Sequence, residues 1–351
     1  MELIADFAVE YGLFLAKAAT LVIAFGLATA WLLSAVVQAR VAARRDDLQV
    51  EHVNRRLERM ADTLNATLLN PTERKARHKR RKTERKQQEK AEKLGKRHEA
   101  ARLFVLDFDG DIRASATEPM RETINGILQI AEPNDEVLVR LESAGGMVHS
   151  YGLAASQLVR LREAGLKLTV AVDRLAASGG YMMACVGERI VAAPFAIIGS
   201  IGVVAQVPNF HRLLQDKHID FEMHTAGEHK RTLTMFGENT DAGREKFREE
   251  LEDTHGLFKS FVNRYRPTLD IDRVATGEHW HGTQAVDLGL VDEIATSDDL
   301  MLTAARDGRD VFTVGLDRHQ GLMARLTGQA GRAASRVLAD TGIARLAHHR
   351  P

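Results

Sequence analysis

Residues 18–37 (AATLVIAFGLATAWLLSAVV) are twenty consecutive positions without a charge, and Arg40, Arg44 and Arg45 follow at once. A helix over such a run rises about 30 Å, the hydrocarbon thickness of a bilayer, so an N-terminal transmembrane helix is expected. A cleaved signal peptide has a short basic start and a shorter apolar core. Here Glu2, Asp6 and Glu10 come first, so a retained anchor is expected even though Val37-Gln38-Ala39 has the small outer residues of a cleavage site. Acidic flank before and basic flank after place the remainder of the chain in the cytoplasm by the positive-inside rule.

The formal net charge of zero hides a polarised chain, because residues 71–100 are dominated by Lys and Arg and carry almost nothing apolar to bury. No core forms from such a segment, so residues 41–100 read as a basic charged linker, helical or disordered. Its charge suits anionic lipid head groups, at about 1 kcal/mol per basic residue near the surface. Residues 71–100 contain no aromatic residue on which bases would stack, so no nucleic acid partner is expected. Cys185 is the only cysteine, which excludes an internal disulfide and a multi-cysteine zinc site.

From residue 101 the texture is that of an α/β domain, with short apolar runs alternating with amphipathic stretches. Strands are expected at LFVLDF (Leu103 onward), EVLVRLES (Glu136–Ser143), LTVAV, RIVAA and FEMHTA. Helices are expected over 119–130, 148–164, 208–215 and 241–264, with a short one after AASGG. Residues 181–207 are apolar enough to suggest a second span, but Glu188, Arg189 and several glycines interrupt them, so a buried helix, a strand and a loop at 197–202 are expected instead. The domain is taken as 101–297, with residues 298–351 as a helical or partly disordered tail.

Ala176-Ala177-Ser178-Gly179-Gly180 ends a strand and opens a helix, which sets a hydroxyl among residues too small to obstruct a substrate. Free N–H groups there favour the negative charge that an acyl-transfer intermediate develops on oxygen. Gly145-Gly146 also follows a strand directly and can turn its N–H groups into the same crevice. Taken alone, a serine before a helix is usually an N-cap and the glycine pair a tight strand-to-helix turn. None of the fourteen histidines stands in a triad context, and His279 and His281 beside Trp280 read as loop residues rather than metal ligands.

Five segments in order resemble the signal peptide peptidase A family, most closely its single-domain SohB branch, over roughly residues 100–295. They are LESAGG, AASGGYMMA, IGSIGVV, GEHKR and GEHWHGTQAVDLGLVDEI. The resemblance implies a ClpP/crotonase-like α/β domain and a serine endopeptidase with a Ser-Lys dyad. Ser178 takes the place of the nucleophile, Lys230 of the general base and Ser200 of a hydroxyl that orients the lysine. The oxyanion donors fall on Gly179 and on Gly145 or Gly146. Ala144 departs from the family's usual proline without removing a catalytic group. A solvated lysine with a pKa near 10.4 cannot accept a proton at neutral pH, and burial is what lowers it. The chemistry calls for no metal or organic cofactor.

The resemblance also implies homo-oligomers of ring or bowl shape, with dyads completed across subunit boundaries. It implies substrates such as signal-peptide remnants or other unfolded and membrane-derived peptides, and single-pass residence in a bacterial-type inner (plasma) membrane. The family places its domain on the outer face, opposite to the local charge rule. Two other functions fit the same fold: a non-catalytic membrane scaffold, and an acyl-CoA enzyme of the crotonase type. A serine-reactive probe separates the first from a peptidase, and thioester turnover would mark the second.

Overall fold

Phe104, Leu106 and Phe108 enter one apolar cluster while Leu103 and Val105 enter another, so the strand that carries them, β2 (Arg102–Gly110), is buried on both faces. The same split recurs in β3 (Glu136–Ser143), where Val137, Val139 and Leu141 face the larger cluster and Leu138 the smaller. This is why these strands read as near-continuous apolar runs, as parallel strands covered on both sides do. In this computed structural model the described residues are 17, 20, 22, 23, 25, 26, 47–93, 101–227 and 230–317. Contacts divide the chain into Gln49–Gly315 and a second unit of residues 1–48 with 316–351.

The main sheet also contains β1 (Asp47–His52), β4 (Lys167–Val172), β6 (Arg189–Ala192), β9 (Glu293–Ile294) and β10 (Asp310–Asp317), in the order β1-β10-β2-β3-β4-β6-β9. The pairs β10–β2, β2–β3, β3–β4, β4–β6 and β6–β9 are all parallel. Helices Thr117–Ile130 and Val148–Glu163 supply the larger cluster through Met120, Ile124, Ile127, Leu158 and Leu161. Helices Val53–Leu68 and Ser297–Arg306 supply the smaller one through Val53 and Met301.

Beyond Arg140, β3 parts from β4 and pairs instead with β5 (Leu175–Ala177) through Ser143 and Ala176. On its other side β5 runs parallel to β7 (Ile197–Gly199), which pairs antiparallel with β8 (His279–His281). The sheet therefore splays at the carboxyl ends of its central strands, the place where open α/β sheets form clefts.

Several expectations are corrected. Residues 49–68 do not belong to a linker: Asn54 donates to the Arg309 carbonyl (2.8 Å) and accepts from the Val311 N–H (2.8 Å), tying this segment to β10. Residues 298–317, expected to open a helical or partly disordered tail, are helical to Arg306 but belong to the domain, because Met301 and Val311 are buried and β10 pairs with β2 from Asp310↔Arg102 to Thr313↔Val105. FEMHTA is not a strand: its alternation finds no sheet edge, and Phe221 packs on Phe236 instead, with ring centroids 5.8 Å apart. The expected loop at 197–202 begins as β7, and the two histidines around Trp280 lie in β8, because each strand supplies the other's ladder.

Residues Pro71–Lys93 are helical. Of the expected span at 18–37, only Thr20, Val22, Ile23, Phe25 and Gly26 are described, all helical and exposed, and the rest lies outside the described residues. Among the described residues no helix is long and apolar enough to cross a membrane.

Candidate functional site

Three strands end at one level. Ser143 closes β3, Ala177 closes β5 and Gly199 closes β7, with Ser143↔Ala176 and Ala177↔Gly199 in register. The segments that follow are Ala144-Gly145-Gly146, Ser178-Gly179-Gly180 and Ser200-Ile201-Gly202, so the sheet delivers Ser178, Ser200 and the Gly145-Gly146 pair to one place.

Ser178 has φ 51° and ψ −120°, a backbone conformation that costs a non-glycine residue about 1–3 kcal/mol. Its N–H donates to the Gly199 carbonyl at 2.8 Å, and its carbonyl accepts from the Met182 N–H at 3.0 Å, which starts helix Gly179–Ala184. The turn is thus held from the strand side and the helix side together. The hydroxyl makes no capping hydrogen bond to this helix, and the residue is half-buried, so the N-cap reading of Ser178 does not hold. Strained backbone of this kind clusters at functional sites.

The glycines are needed for close approach. A Cβ on Gly145, whose φ is +86°, would lie 2.7 Å from the Gly179 nitrogen and 2.8 Å from both the Ala177 oxygen and the Ser178 Cβ. A Cβ on Gly179 would lie 2.4 Å from the Tyr151 ring. The two glycine loops therefore touch beside Ser178. The Gly145 N–H itself donates to Ser143 Oγ at 3.0 Å.

Ser200 directly follows Gly199, the residue paired with Ala177, just as Ser178 directly follows Ala177. It too has φ 51°, is half-buried, and donates its N–H to the Glu278 carbonyl at 2.6 Å. Behind it Trp280 packs on Gly199, where a Cβ would meet the indole at 2.9 Å.

Lys230 is placed differently. It is exposed and lies in residues 202–240, whose described part is irregular apart from helix His211–Asp216, and its N–H donates to the Gly227 carbonyl at 3.2 Å. Among the described residues no hydrogen bond joins Lys230 to Ser178 or Ser200. The same segment exposes Val204, Leu213, Ile219, Phe221 and Met223, an unusual amount of apolar surface for one loop. Cys185, the thiol nearby in sequence, is buried, and burial pushes it up so that it stays protonated.

Ser143 and Tyr151 escaped sequence reasoning. Both are buried beneath the glycine loops, and Tyr151 lies on the apolar face of helix Val148–Glu163. A serine two residues before the glycine pair is the signal available in the sequence.

A family profile described as "Peptidase family S49 N-terminal" matches residues 6–158, and one described as "Peptidase family S49" matches residues 160–311. The chain is similar to "Probable protease SohB" of Haemophilus influenzae, 58% identical over 236 residues, covering 67% of this chain and 67% of that protein. It is also similar to the protein of the same name from Buchnera aphidicola subsp. Acyrthosiphon pisum, 61% identical over 202 residues, covering 58% of this chain and 60% of that one.

Proposed function

The chain belongs to peptidase family S49, and from that premise we propose that it is a serine endopeptidase in which Ser178 attacks the scissile carbonyl and Lys230 is the general base. The observation that carries this reading is the turn at Ser178, strained, uncapped and pressed against a second glycine loop. Lys230 takes the proton from the Ser178 hydroxyl as the Oγ–C bond forms. The Gly179 and Gly146 N–H groups receive the oxyanion, since that of Gly145 is engaged with Ser143. Lysine then passes the proton to the leaving amine, and water hydrolyses the acyl-enzyme by the same route. Ser200, directly after the end of β7, orients the lysine amine.

Lys230 is exposed in the single chain, and a lysine that acts as a general base works in a desolvated pocket. Homo-oligomerisation supplies the means: a neighbouring subunit that covers the apolar surface of residues 202–240 would bury Lys230 with it. The enzyme is anchored in a bacterial-type inner membrane by residues 18–37, and its substrates are signal-peptide remnants and other unfolded or membrane-derived peptides. The relatives' name as proteases and the uncharged run support this reading.

The test is hydrolysis of a quenched fluorescent peptide together with labelling by a fluorophosphonate. Label on Ser178 and loss of both signals in Ser178→Ala is the expected result. Undiminished hydrolysis by a folded Ser178→Ala protein would refute the assignment.

A further inference from the structure

We propose that Ser143 and Tyr151 are positioning residues, which hold the Gly145-Gly146 loop in place through a buried hydrogen-bond chain running in one direction to the Asp111 carbonyl. The proposal rests on reading Ser178 as a nucleophile and Gly146 and Gly179 as its oxyanion donors.

The chain has three links. The Gly145 N–H donates to Ser143 Oγ at 3.0 Å, Ser143 Oγ and Tyr151 Oη lie 2.5 Å apart, and Tyr151 Oη donates to the Asp111 carbonyl at 2.7 Å. An amide N–H only donates and a carbonyl only accepts. Each hydroxyl has one proton, so with Tyr151 giving its proton to Asp111, the proton of Ser143 goes to Tyr151. Bonds aligned head to tail in a buried site strengthen one another. Tyr151 is 0% and Ser143 2% exposed, so water does not compete for either group. Burial also pushes the Tyr151 hydroxyl up, which keeps it a donor across the neutral range.

The same tyrosine bears on the other donor. Its ring lies directly under Gly179, and Phe108 meets it edge-on with ring centroids 6.4 Å apart. At Gly110 a Cβ would come 2.5 Å from Ser143 Oγ and 2.6 Å from Tyr151 Oη, so the pair is enclosed on that side too. One side chain thus sets the height of Gly179 through its ring and the tilt of the Gly145 peptide through its hydroxyl. Their relative position is what an oxyanion site depends on, and an error of about 1 Å in such a site costs on the order of 100-fold.

The experiment uses the full chain in detergent and the quenched peptide, with Tyr151→Phe, Ser143→Ala and the double variant beside Ser178→Ala. Tyr151→Phe keeps the ring and removes the hydroxyl. It is expected to lower kcat about tenfold or more with KM within about twofold. Ser143→Ala should do the same, and the double variant should be no slower than the slower single, because both break one chain. Wild-type kcat in a folded Tyr151→Phe or Ser143→Ala protein overturns the proposal, as do single effects that multiply in the double variant. Either variant suffices if the other fails to fold. Where Ser178→Ala is dead and the positioning variants are unimpaired, only this inference falls. Where Ser178→Ala keeps turning over, the site reading itself falls and takes this inference with it.

Discussion

Gly145→Ala adds a single carbon at the contact between the two glycine loops. With φ at +86°, an alanine there costs about 1–2 kcal/mol for the left-handed backbone alone. The new Cβ would also sit 2.7–2.8 Å from the Gly179 nitrogen, the Ala177 oxygen and the Ser178 Cβ, none of which can swing aside as a long side chain can. Overpacking of that kind costs about 1–3 kcal/mol. The sum, roughly 2–5 kcal/mol, corresponds to a loss of roughly 4–20 °C in Tm for a domain of this size. Part of the strain is relieved by pushing the loops apart, and a displacement near 1 Å lowers kcat on the order of 100-fold. The assay is differential scanning fluorimetry paired with peptide hydrolysis, using Gly152→Ala as the control. Gly152 lies within helix Val148–Glu163 with nothing within 4 Å of its missing Cβ, so alanine there should raise stability by up to about 1 kcal/mol. A Gly145→Ala protein with wild-type Tm and kcat would refute the claim that the two loops are in contact at the nucleophile.

Lys230→Ala is expected to abolish peptide hydrolysis without shifting Tm, since the side chain is exposed and supports no part of the fold, and retained turnover would exclude it as the base. Mixing Ser178→Ala with Lys230→Ala subunits should restore activity if each dyad spans two subunits, whereas within one subunit the mixture stays inactive. Acid should destabilise the domain. Burial pushes the Asp135 carboxyl up, but hydrogen bonds from the Arg102 guanidinium and the Glu132 and Arg102 N–H groups outweigh it and hold the carboxyl below its usual range. Asp292, bonded to Arg266 at 2.7 and 2.9 Å, is lowered in the same way. A depressed folded value means stability present above about pH 4, where the unfolded carboxyl ionises, and lost as pH falls through the folded value. Thermal melts should hold from pH 7 to about 5 and decline below about 4, and an unchanged acid slope in Asp135→Asn would remove Asp135 from the explanation. Replacing the Lys and Arg residues of helix Pro71–Lys93 by Gln should weaken sedimentation with phosphatidylserine vesicles, and equal binding would rule out a lipid role for this helix.

Much of the fold was legible because its strands and helices are local statements. Glu136–Ser143 is a strand in sequence and in structure, with the same ends, and helix Val148–Glu163 follows the apolar spacing that announces it. Ser178 and the Gly145-Gly146 pair could be picked out because small residues after a strand have few uses, whereas Ser200 was reached only through the family resemblance. What sequence could not supply was the partner of each segment. Residues 49–68 and 297–317 carry weak patterns of their own and become part of the domain only because β2 offers an open edge to β10, and Asn54 ties the earlier segment to that strand. FEMHTA has the alternation of a strand but no neighbour to complete its ladder, so the pattern counted for nothing.

From the order of its residues alone this chain establishes an uncharged run long enough for a bilayer, a basic stretch without a core, and a set of small-residue turns at strand ends. Those follow from transfer free energies and backbone sterics, which act on neighbours along the chain. Only the folded sheet decides that β3, β5 and β7 end together, that Gly145 rests against Gly179, and that Tyr151 lies beneath both loops. These are contacts between residues far apart in sequence, fixed by strand register and close packing, and no local pattern encodes which distant atoms will fill the space beside a glycine.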